Sequence, residues 1–253
     1  MANDASRQAR TALVTGGTGC LGRAIAIALH DAGHQVLVTY HRSAAAARAW
    51  QDEQAGLGRD FTLYQVDVAD NAACQALVRQ LEQDGRQVDI LVNNAGITRD
   101  ASLRKMRYED WTEVMRSNLD SMFNMTQPLC GAMSDRGWGR IVNISSVNGS
   151  KGAFGQANYA ASKAGIHGFT KSLALELARK GVTVNTISPG YLATSMVKAV
   201  PEEVLKEKIL PQIPLGRLGE PDEVAALVAF VCSDAAAFMT GSNIAMNGGQ
   251  HMY

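Results

Sequence analysis

Short runs of β-branched and aliphatic residues alternate along the chain with longer stretches in which apolar positions recur every three or four residues. Thr11–Thr15, Val36–Thr39, Phe61–Val66, Ile90–Val92, Ile141–Ile144 and Val182–Ile187 read as strands, each followed by enough chain for a crossover helix. Repeated strand–helix–strand units give a parallel sheet covered by helices on both faces, and right-handed crossovers make it doubly wound. A last strand is expected at Asn243–Met246, before the turn-forming Asn247-Gly248-Gly249. The pattern predicts an α/β chain: a single-domain Rossmann-type doubly wound parallel sheet of about seven strands, without repeat or linker over 1–253.

One stretch breaks this rhythm. Between Ser188 and Gly219 the chain carries Pro189, Pro201, Pro211 and Pro214 around a short amphipathic segment, Glu202–Ile209. Proline at that density interrupts regular structure. An irregular insertion after a strand's carboxyl end sits over the ligand crevice of such a sheet, so a substrate-covering lid is expected at about 190–215.

Composition narrows the partners. Lys plus Arg equals Asp plus Glu at 24 each, so net charge points to neither nucleic acid nor an acidic membrane, and any anionic ligand must be met locally. Cys20, Cys74, Cys130 and Cys232 lie far apart with no C-x-x-C pair, which disfavours a zinc site and a disulfide framework; no metal is expected. No apolar run is long enough for a membrane helix, and Met1–Arg10 carries no apolar leader, so a cytoplasmic location is expected.

Leu13-Val14-Thr15-Gly16-Gly17-Thr18-Gly19-Cys20-Leu21-Gly22 runs from the first strand through glycines into the apolar-periodic Ala24–Leu29. Glycine lets the backbone approach a pyrophosphate, and a helix N-terminus offers N–H groups and a positive dipole end. In the first βα unit this is where a dinucleotide belongs. An acidic residue at the end of the second strand would favour NAD. The chain instead has Tyr40-His41-Arg42-Ser43, a guanidinium, an imidazole and hydroxyls suited to a 2′-phosphate, so NADPH is expected.

Tyr159 and Lys163 stand four residues apart in a segment of helical period and project from one face. An ammonium near a phenol stabilises the phenolate, which would lower the Tyr159 pKa and make the pair a usable proton donor. Asn93-Asn94-Ala95-Gly96, Asn118 and Ser145-Ser146 fall at or between the carboxyl ends of neighbouring strands, on the same rim.

With these residues together, from the glycine loop to Asn247-Gly248-Gly249, the chain resembles the short-chain dehydrogenase/reductase family over essentially its whole length. The resemblance implies a catalytic set of Asn118, Ser146, Tyr159 and Lys163. Tyr159 would protonate the carbonyl oxygen, Ser146 would hydrogen-bond it, Lys163 would hold the nicotinamide ribose and lower the Tyr159 pKa, and Asn118 would position a relay water. Besides the glycine loop (Gly16, Gly17, Thr18, Gly19, Leu21, Gly22) and the turn after the second strand (Tyr40, His41, Arg42, Ser43), the cofactor contacts implied are Asp67 and Val68 at the adenine. Asn94, Ala95 and Gly96 follow along the ribose, and Pro189, Gly190 and Thr194 near the nicotinamide. The family's usual T-G-x-x-x-G-x-G is broken by Cys20, whose Cβ would crowd the diphosphate.

Within the family, Ile97-Thr98-Arg99-Asp100 and Gly216-Arg217-Leu218-Gly219-Glu220-Pro221 resemble 3-oxoacyl thioester reductases, with the acetoacetyl-CoA reductases ahead of the 3-oxoacyl-carrier-protein reductases. That resemblance implies an acyl-CoA or acyl-carrier-protein thioester as substrate, with Phe154, Gln156 and Tyr191 beside the short acyl group and a homotetramer as the assembly. The turn Tyr40–Ser43 also resembles that of pteridine reductases, and a nucleotide-binding protein without catalysis is a further alternative. Arg99, Arg104, Lys105 and Arg136 are candidate contacts for the negative charge of either carrier.

Overall fold

The computed structural model describes residues 9–194, 197 and 202–252. Seven parallel strands form one sheet in the order β3-β2-β1-β4-β5-β6-β7. They are β1 (Thr11–Val14), β2 (Gln35–Tyr40), β3 (Phe61–Gln65), β4 (Ile90–Asn93), β5 (Gly139–Ile144), β6 (Val182–Pro189) and β7 (Asn243–Met246). Between them run α1 (Cys20–Asp31), α2 (Ala44–Gly56), α3 (Asn71–Gln83), α4 (Tyr108–Met115), α5 (Ser121–Asp135), α6 (Asn148–Lys151), α7 (Ala157–Leu177) and α8 (Pro221–Cys232).

Strand alternation divides the interior into two cores. Ala12, Val14, Val36, Val38, Ile90 and Val92 face α1, α2 and α8, where Ile25, Trp50 and Val228 meet them. Leu13, Leu37, Leu91 and Ile141 face α3, α5 and α7, against Leu77, Met125 and Leu177. In-register pairing of Leu13 with both Leu37 and Leu91 keeps these rows aligned. The order reverses beside β1, which pairs with β2 on one side and β4 on the other, opening a crevice at the carboxyl ends of β1 and β4.

Four strands outrun their sequence signal: β2 takes in Gln35 and Tyr40, β4 takes in Asn93, and β5 and β6 each gain two residues. β5 starts at Gly139 because Gly139 and Arg140 pair with Val182 and Thr183. Arg140 reads as a polar loop residue, yet its guanidinium is buried against the Trp138 ring, 4.3 Å from the centroid, with Arg10 at 4.1 Å. β6 continues through Pro189, which pairs with Met246.

The proline-rich stretch is irregular as expected: a helical turn at Glu202–Val204, a wide turn at Leu205–Ile209 and a tight one at Leu210–Gln212. Leu215 N–H donates to Gly248 O at 3.1 Å, and Lys151 Nζ to Gln212 Oε1 at 3.3 Å, fastening its far end beside the crevice. Pro201, with the rest of 195–196 and 198–201, lies outside the described residues.

Candidate active site

The loop leaving β1 delivers α1 to the crevice. No side chain caps α1 and no acid stands in its first turn, so its positive end is left available to an anion. A Cβ on Gly22 would run into Gly16 O and lie 2.6 Å from Gly17 Cα and 2.9 Å from Asn94 Nδ2; the first turn can seat against the loop only without one. The donor set and this close-packed cradle suit a dinucleotide diphosphate. Cys20 opens the helix with an exposed thiol.

Thr15 and Asn94 lock this loop to β4. Thr15 Oγ1 accepts from Asn94 N–H at 3.0 Å and Ala95 N–H at 3.1 Å, while Asn94 Nδ2 donates to Thr15 O at 3.0 Å and Gly16 O at 3.3 Å. Thr15 was not singled out from sequence, although a hydroxyl just ahead of the glycines was the available signal. At the end of β2, Tyr40 is buried and Ser43 takes φ +61°, turning the chain so that His41 and Arg42 line a cavity of about 590 Å³ with Asp67, Ile97 and Arg99. His41 Nε2 is 3.8 Å from Asp67 Oδ2.

Asn118, Ser146, Tyr159 and Lys163 come together on the rim. Lys163 is buried and its Nζ donates to Ile144 O at 2.8 Å, pinning the ammonium beside the end of β5, 5.6 Å from the Tyr159 ring centroid. A Cβ on Gly96 would lie 3.5 Å from Lys163 Nζ and 3.2 Å from Asn118 Oδ1, so the β4 turn abuts both. Asn118 sits in a π-helical turn, Arg116–Asp120, rather than in a regular helix. Its side chain is fully engaged: Oδ1 accepts from Ile97 N–H at 2.8 Å, and Nδ2 donates to Ile97 O at 3.0 Å and Ser162 Oγ at 3.2 Å. The side chain therefore clamps the β4 turn and has no remaining amide proton for a relay water.

Asn148 N–H donates to Ser146 Oγ at 3.2 Å, holding that hydroxyl on the rim near Tyr159. Burial holds the Tyr159 phenol above its usual value; the nearby Ser146 hydroxyl opposes this and the charge of Asp100 adds to it. The expected lowering by Lys163 is not found. Burial pushes the Lys163 ammonium down to about 8, and one of its three N–H groups is taken by Ile144 O. Tyr159 accordingly stands as a protonated phenol, the form a proton donor requires.

Other expected residues are deployed differently. Gln156 has both ends of its amide engaged, Nε2 donating to Asp100 Oδ2 at 2.8 Å and Oε1 accepting from Asn148 Nδ2 at 2.9 Å. It braces the Ser146 turn, with one amide proton and one oxygen lone pair left over. Phe154 projects almost wholly into solvent beside this turn, and Tyr191 lines a small cavity with Ile213, Leu215 and Gly248. Asn93 points inward, donating to Thr126 Oγ1 at 3.1 Å and Asn143 Oδ1 at 2.9 Å. Arg99 is forked onto Glu113, and Arg136 bonds Val88 O and Asp89 at the amino end of β4, the opposite rim from the crevice. Arg136 is thereby removed as a carrier contact.

A Rossmann sheet whose rim joins a serine, a tyrosine and a buried lysine beside a dinucleotide cradle defines a class of oxidoreductases that use a nicotinamide cofactor. The chain belongs to the short-chain dehydrogenase/reductase family: the family model described as Enoyl-(Acyl carrier protein) reductase matches residues 17–251. It is 54% identical to an acetoacetyl-CoA reductase of Rhizobium meliloti (strain 1021), over 96% of this chain and 98% of that one. It is 53% identical to the acetoacetyl-CoA reductase of Shinella zoogloeoides, over 95% and 98%. A 3-oxoacyl-(acyl-carrier-protein) reductase of Staphylococcus aureus (strain Mu50 / ATCC 700699) is 42% identical over 97% and 100%.

Proposed function

We propose that this protein reduces the 3-keto group of acetoacetyl-CoA with NADPH, giving (R)-3-hydroxybutyryl-CoA, the reductive step of polyhydroxyalkanoate synthesis. The observation that carries this reading is buried Lys163, pinned to Ile144 O with its Nζ 5.6 Å from the Tyr159 ring centroid beside Ser146, in a chain matched over 95–96% of its length by proteins named acetoacetyl-CoA reductase. The runner-up, a 3-oxoacyl-(acyl-carrier-protein) reductase, is supported by the lower likeness to the staphylococcal protein.

Gly16, Gly17, Thr18, Gly19, Leu21 and Gly22 would hold the diphosphate, His41 and Arg42 the 2′-phosphate, Asp67 and Val68 the adenine. Asn94, Ala95, Gly96, Pro189, Gly190 and Thr194 would meet the nicotinamide nucleoside. When bound, the cofactor supplies hydride to the substrate's carbonyl carbon. Tyr159 then gives its proton to the oxygen as charge develops there, and Ser146, held by the Asn148 N–H, shares in stabilising that charge. Lys163 keeps one N–H on Ile144 O and has two left for the ribose hydroxyls. Asn118 acts as a positioning residue, holding the β4 turn against Lys163.

Phe154 and Tyr191 stand on the two segments that would cover the acyl chain, with 190–215 as the lid. Exposed Phe123 on α5 and Leu175 on α7 are apolar surface of the kind a homotetramer covers. Among the described residues no helix is long and apolar enough to cross a membrane.

Two measurements test this reading. The KM for NADPH should lie about tenfold or more below that for NADH, and Arg42→Ala should raise the NADPH value by about fivefold or more with little effect on NADH. Equal constants for the two cofactors would remove the NADPH assignment. Turnover of acetoacetyl-CoA should exceed that of the same acyl group on carrier protein, and a large preference for carrier protein would make the runner-up the function.

A further inference from the structure

Behind the rim lies an imidazole to which none of these roles gives a task. His167 stands one helical turn past Lys163 on α7 and is partly buried. Its Nε2 is 2.9 Å from Ser145 Oγ and 3.4 Å from Ser188 Oγ. Buried Ser145 also lies 2.8 Å from the Lys163 carbonyl. A carbonyl only accepts, so Ser145 directs its single proton to Lys163, and the contact with His167 is made by Nε2–H donating. Ser188 likewise bonds Asn243 Oδ1 at 2.6 Å, leaving its oxygen lone pairs toward the ring. Burial, with the charge of Lys171, holds the imidazole pKa below its usual value, so the ring is neutral with its proton on Nε2.

Ser145 immediately precedes Ser146, and Ser188 immediately precedes Pro189 and Gly190. One imidazole thus joins the ends of β5 and β6 to the helix carrying Tyr159 and Lys163. The fold does not need it for anchorage, because α7 is already fixed one turn later: Asn143 Nδ2 and Thr186 Oγ1 both bond Thr170 Oγ1, at 2.9 and 2.7 Å.

We infer that His167 is a positioning residue for the reduction, setting the height of Lys163 and Ser146 against the Pro189–Gly190 turn through its hydrogen bond to Ser145. The inference rests on the roles proposed above for Lys163 and Ser146. Its test compares His167→Leu, which removes the donor, with His167→Gln, whose amide restores one. Because sub-ångström misplacement of reacting groups is costly, His167→Leu should lower kcat for acetoacetyl-CoA about tenfold, with the thioester KM within about twofold and the melting temperature near wild type. His167→Gln should recover kcat to within about threefold of wild type. An unchanged kcat in His167→Leu, a His167→Gln as slow as His167→Leu, or a loss only in step with melting temperature would each overturn the role. If the wild-type protein reduces no 3-oxoacyl thioester, the proposed function falls separately. His167 is then judged by NADPH fluorescence titration: binding about threefold or more weaker in His167→Leu and restored in His167→Gln supports it, and equal binding overturns it.

Discussion

Replacing Tyr159 by Phe is expected to lower kcat for acetoacetyl-CoA by about a hundredfold or more while NADPH still binds, the usual size of a lost general acid. The substitution removes one oxygen and leaves a ring of the same shape, so α7 and its packing are retained. The Ser146 hydroxyl keeps its bond from the Asn148 N–H, so its place on the rim is unchanged. Activity that survives at more than about a tenth of wild type, with NADPH binding intact by fluorescence, would show that the proton comes from elsewhere. The pH profile separates the two partners further. The phenol is held above its ordinary value, while the Lys163 ammonium is pushed down to about 8. As pH rises, Lys163 loses its charge before Tyr159 loses its proton, so the alkaline limb of kcat/KM should be set by the lysine.

The strand–helix alternation made the sheet legible because its strands are dense in Val, Ile and Leu; β7 was placed at Asn243–Met246 on that signal and the turn behind it. Boundaries slipped where tertiary pairing recruited residues that look like loop, Arg140 under Trp138 and Pro189 beside Met246. The gathering of Asn118, Ser146, Tyr159 and Lys163 on one rim was legible because these residues carry chemistry in a recognisable order. Their electrostatics was not. Whether Lys163 lowers the Tyr159 pKa depends on where its Nζ points and how deeply both groups are buried, and spacing on a helix encodes neither. Gln156 shows the same limit: that its amide also bridges Asp100 and Asn148 is set by the fold and cannot be read from its position in the chain. Arg136 read as a carrier contact because charge is visible in sequence, while the end of the sheet it occupies is not.

Gly22→Ala should weaken NADPH binding by roughly ten- to a hundredfold, with the protein still folded. The added methyl would meet Gly16 O, Gly17 Cα at 2.6 Å and Asn94 Nδ2 at 2.9 Å, and two of these three are backbone atoms that no rotamer change can withdraw. Overpacking of this kind costs about 1–3 kcal/mol. The strain has two outlets, sliding α1 away from the sheet or displacing the loop. The first is resisted by the packing of Ile25, Ala26 and Leu29, all fully buried in the core they share with α8. The second breaks hydrogen bonds, those through Thr15 and Asn94 and those from Gly16 N–H and Gly17 N–H to Thr39, rather than a packed helix face, so the loop should yield. Those 1–3 kcal/mol then appear as lost affinity, since each 1.4 kcal/mol is about tenfold in binding. Gly56→Ala, at the end of α2 where a Cβ meets nothing within 4 Å, is the matched control and should bind NADPH normally. A Gly22→Ala protein that binds NADPH as tightly as the control, with its melting temperature also unchanged, would mean that the cradle holds no diphosphate. Loss of melting temperature without loss of affinity would mean that α1, rather than the loop, takes up the strain.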